Sequence, residues 1–253
     1  LEFRRVLFRS TTRSGCGSRG GCRPASPTGT AEVASLSPVH GTHVVLGSAS
    51  PARLKVLRDA GLDPEVVVSY VDEDAIVEQL AGVEPAEVVV RLAAAKAAEV
   101  CADVVGRAAA CDRPTGTDTV VLTCDSMLLL DGVLSGKPHT TAIARDQWRR
   151  MRGTTGRLLT GHHVTRIIDG AIAGQAARTV STTIRFADVD DATIDAYVAT
   201  GEPLSVAGAF TLDGLGGWFV DGIDGDPSSV VGIGLPTVRE LLAAVGVDVT
   251  ALW

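Results

Sequence analysis

The sequence predicts a mixed α/β fold in which helices flank a twisted mixed sheet. Strand-like and helical segments alternate along the chain, and one long hairpin crosses its second half. The apolar residues, 45% of the total, are mainly Val, Leu and Ala, and β-branched strands between alanine-rich helices are typical of this class. A length of 253 residues allows one large domain or two small lobes.

The first 38 residues differ in composition from the rest. They hold six arginines, no lysine and two glutamates among many Gly, Ser, Thr and Pro residues. Their first ten residues, LEFRRVLFRS, resemble the in-frame translation of a sequencing adapter, and the first methionine is Met127. We therefore expect 1–38 to be an assembly artefact or a disordered leader and 39–253 to form a single domain. An arginine-rich tail or a transit peptide is the alternative.

Charge and cysteine content limit the function classes open to the remaining chain. Without the leader's six arginines and two glutamates, the totals of 23 basic and 30 acidic residues fall to 17 and 28, a net charge of −11. So acidic a protein binds nucleic acid poorly, and no apolar run approaches the roughly 20 residues that span a bilayer. Five cysteines without a C-x-x-C pair are typical of a reducing cytoplasm. We expect a cytoplasmic protein that binds neither membranes nor nucleic acid.

The first element pair lies in 43–54 (HVVLGSASPARL). Val44–Leu46 is an apolar run of strand type. Ser50 is a good N-cap, Pro51 suits the first helical position, and Gly61 closes the predicted helix.

This strand-to-helix turn is a candidate phosphate site. A helix N-terminus attracts an anion because its N–H groups are unpaired and its dipole is positive. The hydroxyls of Ser48 and Ser50 and the guanidinium of Arg53 would add donors for phosphate oxygens. A helix that merely begins with a good cap is the alternative.

The next predicted elements are a strand over 64–71 and a helix over 84–105. An acidic cluster, 72–74, follows the strand and places carboxylates at its end. Apolar residues and alanines at helical spacing predict the helix. Its Lys96 follows Leu92 by four residues and therefore shares a face with core residues. It is either a snorkelling lysine or a cation at the rim of a cleft.

A loop over 106–118 precedes a buried strand over 119–124, which we expect to end at Asp125 and Ser126. The dipeptide Asp131-Gly132 predicts a hairpin between 127–130 and 133–134. This turn brings Lys137 back toward Asp125.

Turn and cap residues predict the remaining elements. They are a helix over 141–151, a long hairpin of 158–169 with 171–186 around Asp169-Gly170, a helix over 190–199, a loop over 201–210 and a last helix over 236–245. The segment 211–220 between the loop and the last helix contains Asp213 and the glycine-rich run 214–217.

Charged side chains near the strand ends form a set suited to phosphoryl transfer. Glu73 and Asp125 suit a hard divalent cation such as Mg²⁺, which takes one or two carboxylates and leaves its other positions to water and phosphate. Arg53, Lys96 and Lys137 can balance a triphosphate and the charge that develops in the transition state. One carboxylate can also orient or deprotonate the attacking water.

These segments resemble the Maf family of nucleoside triphosphate pyrophosphatases, cytosolic proteins linked to septum formation. The resemblance runs in unbroken order from His43 to Leu242. Its segments are 46–53 (LGSASPAR), 71–73 (VDE), 91–97 (RLAAAKA), 124–126 (CDS), 136–138 (GKP), 197–198 (YV), 201–203 (GEP), 207–210 (AGAF), 214–217 (GLGG) and 230–232 (VVG).

The resemblance implies two lobes around a deep cleft, hydrolysis between the α and β phosphates with Mg²⁺ or Mn²⁺, and a homodimer. It implies that Asp125 activates water and that Glu73 shares the metal. It also implies that the triphosphate is held by Ser48, Arg53, Lys96 and Lys137. Both of these lysines would assist catalysis as well. A nucleotide-binding regulator of division that acts without turnover is the alternative function. An arginine-rich nucleic-acid binder would depend on 1–38.

Three positions depart from the base-specificity patterns of this family. Ala52, Ser126 and Asp213 stand where the pyrimidine-preferring branch has Arg, Thr and Gln, and where the 7-methylguanosine branch has Trp, Gln and Glu. The resemblance therefore implies a third branch with an open base preference. We expect Asp213 to accept hydrogen bonds from a base with N–H donors, such as guanine or a modified uracil.

Other candidate motifs have simpler interpretations. The glycine-rich segment 214–217 predicts a tight loop near the base rather than a dinucleotide fingerprint. His162 and His163 are expected at the surface or in packing rather than as metal ligands. Cys124 is expected to be a small buried residue rather than a nucleophile.

Overall fold

The structure, a computed structural model, describes residues 41–110 and 117–253. The expected leader over 1–38 lies outside these residues, and so do residues 111–116 of the expected loop over 106–118. The described chain from Gly41 onward belongs to one compact unit. Within it, no helix is both long enough and apolar enough to cross a bilayer.

The described residues form seven strands, seven α-helices and several short 3-10 turns. The strands are β1 His43–Leu46, β2 Glu65–Val66, β3 Asp118–Leu130, β4 Val133–Ser135, β5 Thr155–Ile168, β6 Ala171–Phe186 and β7 Val220–Asp224. The helices are α1 Pro51–Asp59, α2 Glu73–Gln79, α3 Pro85–Ala110, α4 Thr141–Met151, α5 Asp191–Ala199, α6 Pro227–Val231 and α7 Leu235–Ala244.

The strands join in one mixed sheet, as predicted. Their order is β2-β1-β3-β5-β6-β7, with β4 beside β3. β1 runs parallel to β2 and β3, while the other pairs are antiparallel. Both predicted Asp-Gly hairpin turns are confirmed, since Asp131 and Asp169 have φ of 49° and 51° with a left-handed glycine after each.

One edge of β3 is only partly covered by neighbouring strands. β5 pairs with one edge from Asp118 to Leu129. On the other edge, β1 pairs with 119–122 and β4 with 128–130. Residues 123–127 of this edge therefore face an opening between β1 and β4, which we call the sheet opening. The turn after β1 and the segment after β4 both start beside it.

Side chains of β3 alternate between two helical layers. Cys124 joins a core cluster with α1 and α7, and Leu128 joins another with α4 and α5, on the same face. Val121 and Met127 point to the opposite face, toward α3. Asp125 therefore faces α3, and Ser126 faces the other layer.

Three predictions about elements are wrong. β3 does not end at Asp125 but continues to Leu130, because β5 pairs with it along nearly its whole length. The strand predicted over 64–71 shrinks to the two residues of β2. Glu73 does not follow a strand but begins α2, where the Asp72 side chain accepts the N–H of Ala75 at 3.0 Å.

Several boundaries also differ from prediction. α3 continues to Ala110, beyond the predicted end at 105, while α4 is confirmed over its full predicted range. β7 and α6 were not predicted. The Asp-Gly-rich composition of β7 has low strand propensity, and its pairing with β6 supplies the missing stabilisation.

Candidate active site

Arg53 connects the turn after β1 to the sheet opening. Its Nη1 donates to Ser48 Oγ at 3.0 Å and to the carbonyl of Cys124 at 2.8 Å, and its Nε donates to the carbonyl of Gly232 at 2.9 Å. The predicted cap is confirmed, because Ser50 Oγ accepts the backbone N–H of Arg53. The guanidinium is therefore fixed by several elements at once.

Lys96 of α3 binds two carboxylates on the face of β3 that α3 covers. Its Nζ lies 2.5 Å from Asp125 Oδ1 and 2.9 Å from Glu73 Oε1. The side chains of Lys96 and Asp125 are 9% and 8% exposed, and that of Glu73 is 44% exposed. The snorkelling alternative is wrong, since the ammonium is buried with counter-ions instead of reaching free solvent.

The two carboxylates have opposite pKa shifts. Burial raises the pKa of Asp125 above its ordinary value, against the opposing attraction of Lys96. Burial acts in the same direction on Glu73, but attraction from Lys96, Lys137 and Arg53 lowers the pKa of its carboxyl. Groups whose environments separate their pKa values in this way are suited to different roles in proton transfer.

Three cations stabilise the ionised form of Glu73, and Lys96 contacts it. Lys96, Lys137 and Arg53 all act on its carboxylate electrostatically. Lys137 is exposed and lies two residues beyond β4, at the sheet opening. This local positive charge is what a polyphosphate requires in a protein of net negative charge.

Close packing of α3 on the sheet brings Lys96 to Asp125. Gly161 of β5 pairs with Asp125, and a Cβ at Gly161 would lie 2.3 Å from the carbonyl oxygen of Val89 in α3. Thr123 Oγ1 also donates to the carbonyl of Ala93 at 2.7 Å. Gly161 is therefore a supporting residue that sequence reasoning missed, because its partner is 72 positions away in a helix.

The three specificity candidates lie in different surroundings. Ser126 Oγ is 3.2 Å from Thr160 Oγ1 and 3.5 Å from Arg53 Nη2. Ala52 is half-buried in the first turn of α1. Asp213 is exposed on the loop between Phe210 and β7, and it adds to the effect of Asp59 in raising the pKa of Lys55 on α1. Ser126 thus joins the Arg53 group, whereas Asp213 approaches α1 from a separate loop.

His162 is a structural residue of the site's supporting layer. Its Nε2 accepts the N–H of Gly234 at 2.8 Å, so Nδ1 carries the proton and donates to the carbonyl of Thr160 at 3.1 Å. His162 and His163 are buried, which confirms the packing alternative and excludes the surface one. Cys124 is buried as expected, and burial raises its pKa to about 12.

Glu73 and Asp125 fit a divalent cation that takes oxygen ligands. Both carboxylates reach a single ammonium, so they lie close enough together to share one ion. Among residues 41–110 and 117–253, no three His, Cys, Asp or Glu side chains gather as a complete metal cage. Water and substrate oxygens would complete the shell, which is the mode that Mg²⁺ favours.

Fold and site together define a mixed α/β protein whose cations and paired carboxylates gather at an opening in its sheet. The model of a family described as Maf-like protein matches residues 43–245. The chain therefore belongs to the Maf family, as the segment resemblance predicted.

Curated relatives align over most of the chain. A Nocardia farcinica protein named nucleoside triphosphate pyrophosphatase is 57% identical over 211 residues, covering 83% of this chain and 96% of its own length. Proteins of the same name from Rhodococcus opacus and Rhodococcus jostii are 56% and 57% identical over 213 residues, covering 84% of this chain and 96% of theirs.

Proposed function

We propose that this protein is a nucleoside triphosphate pyrophosphatase that cleaves the α–β phosphoanhydride and releases a nucleoside monophosphate and pyrophosphate. The shared name of its relatives supports this reaction class. The observation that carries the proposal is the buried Lys96 bound by Asp125 and Glu73, with Arg53 and Lys137 nearby. A pure nucleotide binder would not need a buried carboxylate that can activate water.

Asp125 is the general base in this proposal. Its buried carboxyl, with a raised pKa, can take a proton from water. The water oxygen then bonds to the α phosphorus, and the bridging oxygen leaves with pyrophosphate. Lys96 orients the base through its contact with Oδ1, and Lys96, Lys137 and Arg53 balance the charge on the phosphates.

Glu73 and Asp125 would hold Mg²⁺ or Mn²⁺. The bound cation would neutralise phosphate charge. The lowered pKa of Glu73 keeps this residue ionised at neutral pH, so it is the metal ligand that does not also have to accept a proton.

Three residues would select the nucleobase of the substrate: Ala52, Ser126 and Asp213. Ala52 places a small side chain in the first turn of α1, and the exposed Asp213 offers acceptors for N–H donors of a nucleobase. A panel of ordinary and modified triphosphates tests this part of the proposal. An Asp213→Ala variant with the wild-type rank order of substrates would contradict it.

An assay of pyrophosphate release with Mg²⁺ tests the proposed reaction and the role of Asp125 as its general base. We expect Asp125→Asn to lower kcat by about 10²- to 10⁴-fold while nucleotide binding, measured by calorimetry, persists. Asp131→Asn in the β3–β4 turn is the matched control and should retain activity. Wild-type protein that binds triphosphates without releasing pyrophosphate would instead support a regulator that acts without turnover. Full turnover by Asp125→Asn would refute the assigned base.

The family resemblance also supports a homodimer and the removal of non-standard nucleotides, and cysteine usage supports a cytoplasmic setting. Sedimentation equilibrium tests the dimer. The triphosphate panel tests nucleotide removal, which requires a modified base to be preferred over the ordinary ones.

A further inference from the structure

The carboxylate of Glu202 is bound by four hydrogen-bond donors. Its Oε1 accepts from Tyr197 Oη at 2.9 Å, Thr211 Oγ1 at 2.5 Å and the N–H of Gly216 at 3.0 Å. Its Oε2 accepts from the N–H of Leu215 at 3.0 Å. Partial burial raises the pKa of Glu202, but the combined effect of these hydrogen bonds is larger and lowers it below its ordinary value. An anion therefore lies inside the turn formed by 211–216.

Glycines allow this turn to close around the carboxylate. A Cβ at Gly214 would lie 2.8 Å from Glu202 Oε2, and one at Gly216 would lie 2.6 Å from Tyr197 Oη. The N–H groups of Leu215 and Gly216 donate to Glu202, whereas in a phosphate-binding loop such groups would face the ligand. The glycine-rich segment is thus shaped for an internal anion.

Glu202 is itself held by the core. Its backbone N–H donates to Thr200 Oγ1 at 3.2 Å. Tyr197 is 3% exposed and packs edge-on against Trp148 and Phe219, with ring centroids 5.4 Å apart in each pair. The hydrogen bond from Tyr197 therefore links the Glu202 carboxylate, and through it the turn, to a packed aromatic cluster.

Asp213 lies between two anchored points of this turn. Thr211 precedes it by two residues and Leu215 follows it by two, and both donate to Glu202. Asp213 is exposed, so the placement of its carboxylate depends on the backbone that Glu202 holds.

We propose that Glu202 is a positioning residue that sets nucleobase selectivity by holding the Asp213 turn in place. The proposal rests on the proposed function, in which Asp213 contacts the base. Glu202 then acts through the turn and not on the reacting atoms, so its loss should change selectivity and KM while leaving kcat nearly unchanged.

Glu202→Gln is the diagnostic variant. Glutamine preserves size and can accept on Oε1, but its amide would present a donor to the N–H of Leu215 or of Gly216. We expect the ratio of kcat/KM between the preferred triphosphate and its competitors to fall about tenfold, with kcat largely retained. Glu202 and Asp213 act through the same turn in this proposal. The double variant Glu202→Gln/Asp213→Ala should therefore lose no more selectivity than Asp213→Ala alone.

Two further variants complete the experiment. Tyr197→Phe removes one donor to Glu202 while keeping the ring, so it should shift selectivity in the same direction by a smaller factor. It replaces Glu202→Gln as the test if that variant does not fold. Glu240→Gln is the matched control, because Glu240 is an exposed glutamate of α7 that pairs with Arg178 of β6. An unchanged rank order and KM in active Glu202→Gln, or in Tyr197→Phe where that variant replaces it, overturns this inference alone. Absence of turnover by the wild type overturns the proposed function and this inference with it.

Discussion

Single polar side chains connect several elements of this protein. Arg53 alone binds the turn after β1, the carbonyl at the open edge of β3 and the carbonyl that ends α6. A planar guanidinium can bind three such directions at once, whereas an ammonium cannot match the same geometry. Conservative changes at such residues should therefore be costly.

Arg53→Lys should lower the free energy of unfolding by about 1–3 kcal/mol and reduce kcat/KM for triphosphates. Lysine retains the charge but cannot span Ser48, Cys124 and Gly232. Urea denaturation and pyrophosphate release measure the two effects. Arg58→Lys on the same helix is the control, since the Arg58–Asp63 pair is solvent-exposed and exposed pairs contribute little. Equal losses in both variants would contradict the bridging role.

His162 should make folding sensitive to pH between about 6.5 and 4. Burial, then the charge of Arg53, lowers its pKa from 6.5 to about 4, while Asp226 opposes the shift. Below 6.5 the unfolded chain takes up a proton that the folded state still refuses, so stability falls as the pH drops through this window. The loss attributable to His162 is on the order of 3 kcal/mol.

Urea denaturation from pH 7 to 4 measures this loss. We expect His162→Gln to remove most of the His162 contribution to the slope. His163→Gln is the comparison, because burial also lowers the pKa of His163. A slope in His162→Gln equal to that of wild type would show that the proton is taken up elsewhere.

At the scale of elements, the contact between α3 and the sheet decides where Lys96 lies. The contact depends on a residue without a side chain, Gly161, at the point where the helix backbone crosses β5. The hydrogen bond from Thr123 Oγ1 to the carbonyl of Ala93 also holds α3 in place over β3. The contact between Lys96 and Asp125 in the proposed active site is therefore a consequence of helix-on-sheet packing.

Gly161→Ala should destabilise the protein by about 1–3 kcal/mol and lower kcat, because the new methyl group would push α3 and Lys96 away from Asp125. Thermal unfolding and pyrophosphate release are the measurements. Gly174→Ala on β6 is the matched control, since a Cβ there would meet Val245 at an ordinary 3.5 Å. Normal stability and activity of Gly161→Ala would refute this account of the packing.

At the scale of the whole molecule, charge is distributed unevenly. The chain without 1–38 has a net charge of −11, yet Arg53, Lys96 and Lys137 all stabilise the ionised form of one carboxylate, that of Glu73. A local cationic site in an acidic protein favours a compact polyanion over extended nucleic acid.

Removal of residues 1–38 should leave thermal stability and pyrophosphate release unchanged. The described sheet and core clusters are built from His43 onward, and the composition of residues 1–38 differs from that of the rest. Differential scanning calorimetry and activity assays of the full and shortened chains measure this. Loss of folding in the shortened protein would support the alternative of a functional basic tail.

Local patterns predicted much of the fold because their physical causes span only a few residues. Ser50 caps α1 through a bond to the N–H three positions on, and both Asp-Gly pairs adopt left-handed turns by themselves. The mixed sheet and the limits of α4 followed from such signals. The candidate site residues Arg53, Lys96 and Asp125 were predicted from their charge and their place in ordered segments, and the structure brings their side chains to β3.

Long-range pairing decided the remainder. Whether β3 stops at Asp125 or continues depends on β5. Glu202 and Gly161 meet partners that no local pattern specifies. The sequence by itself determined the family, the mixed sheet, the turns and the chemical identity of the charged residues. Only the tertiary structure decided that Lys96 is shared by Glu73 and Asp125 at an opening between β1 and β4. Burial of apolar faces brings distant segments together, and the strength of each charge then depends on the partners it meets there.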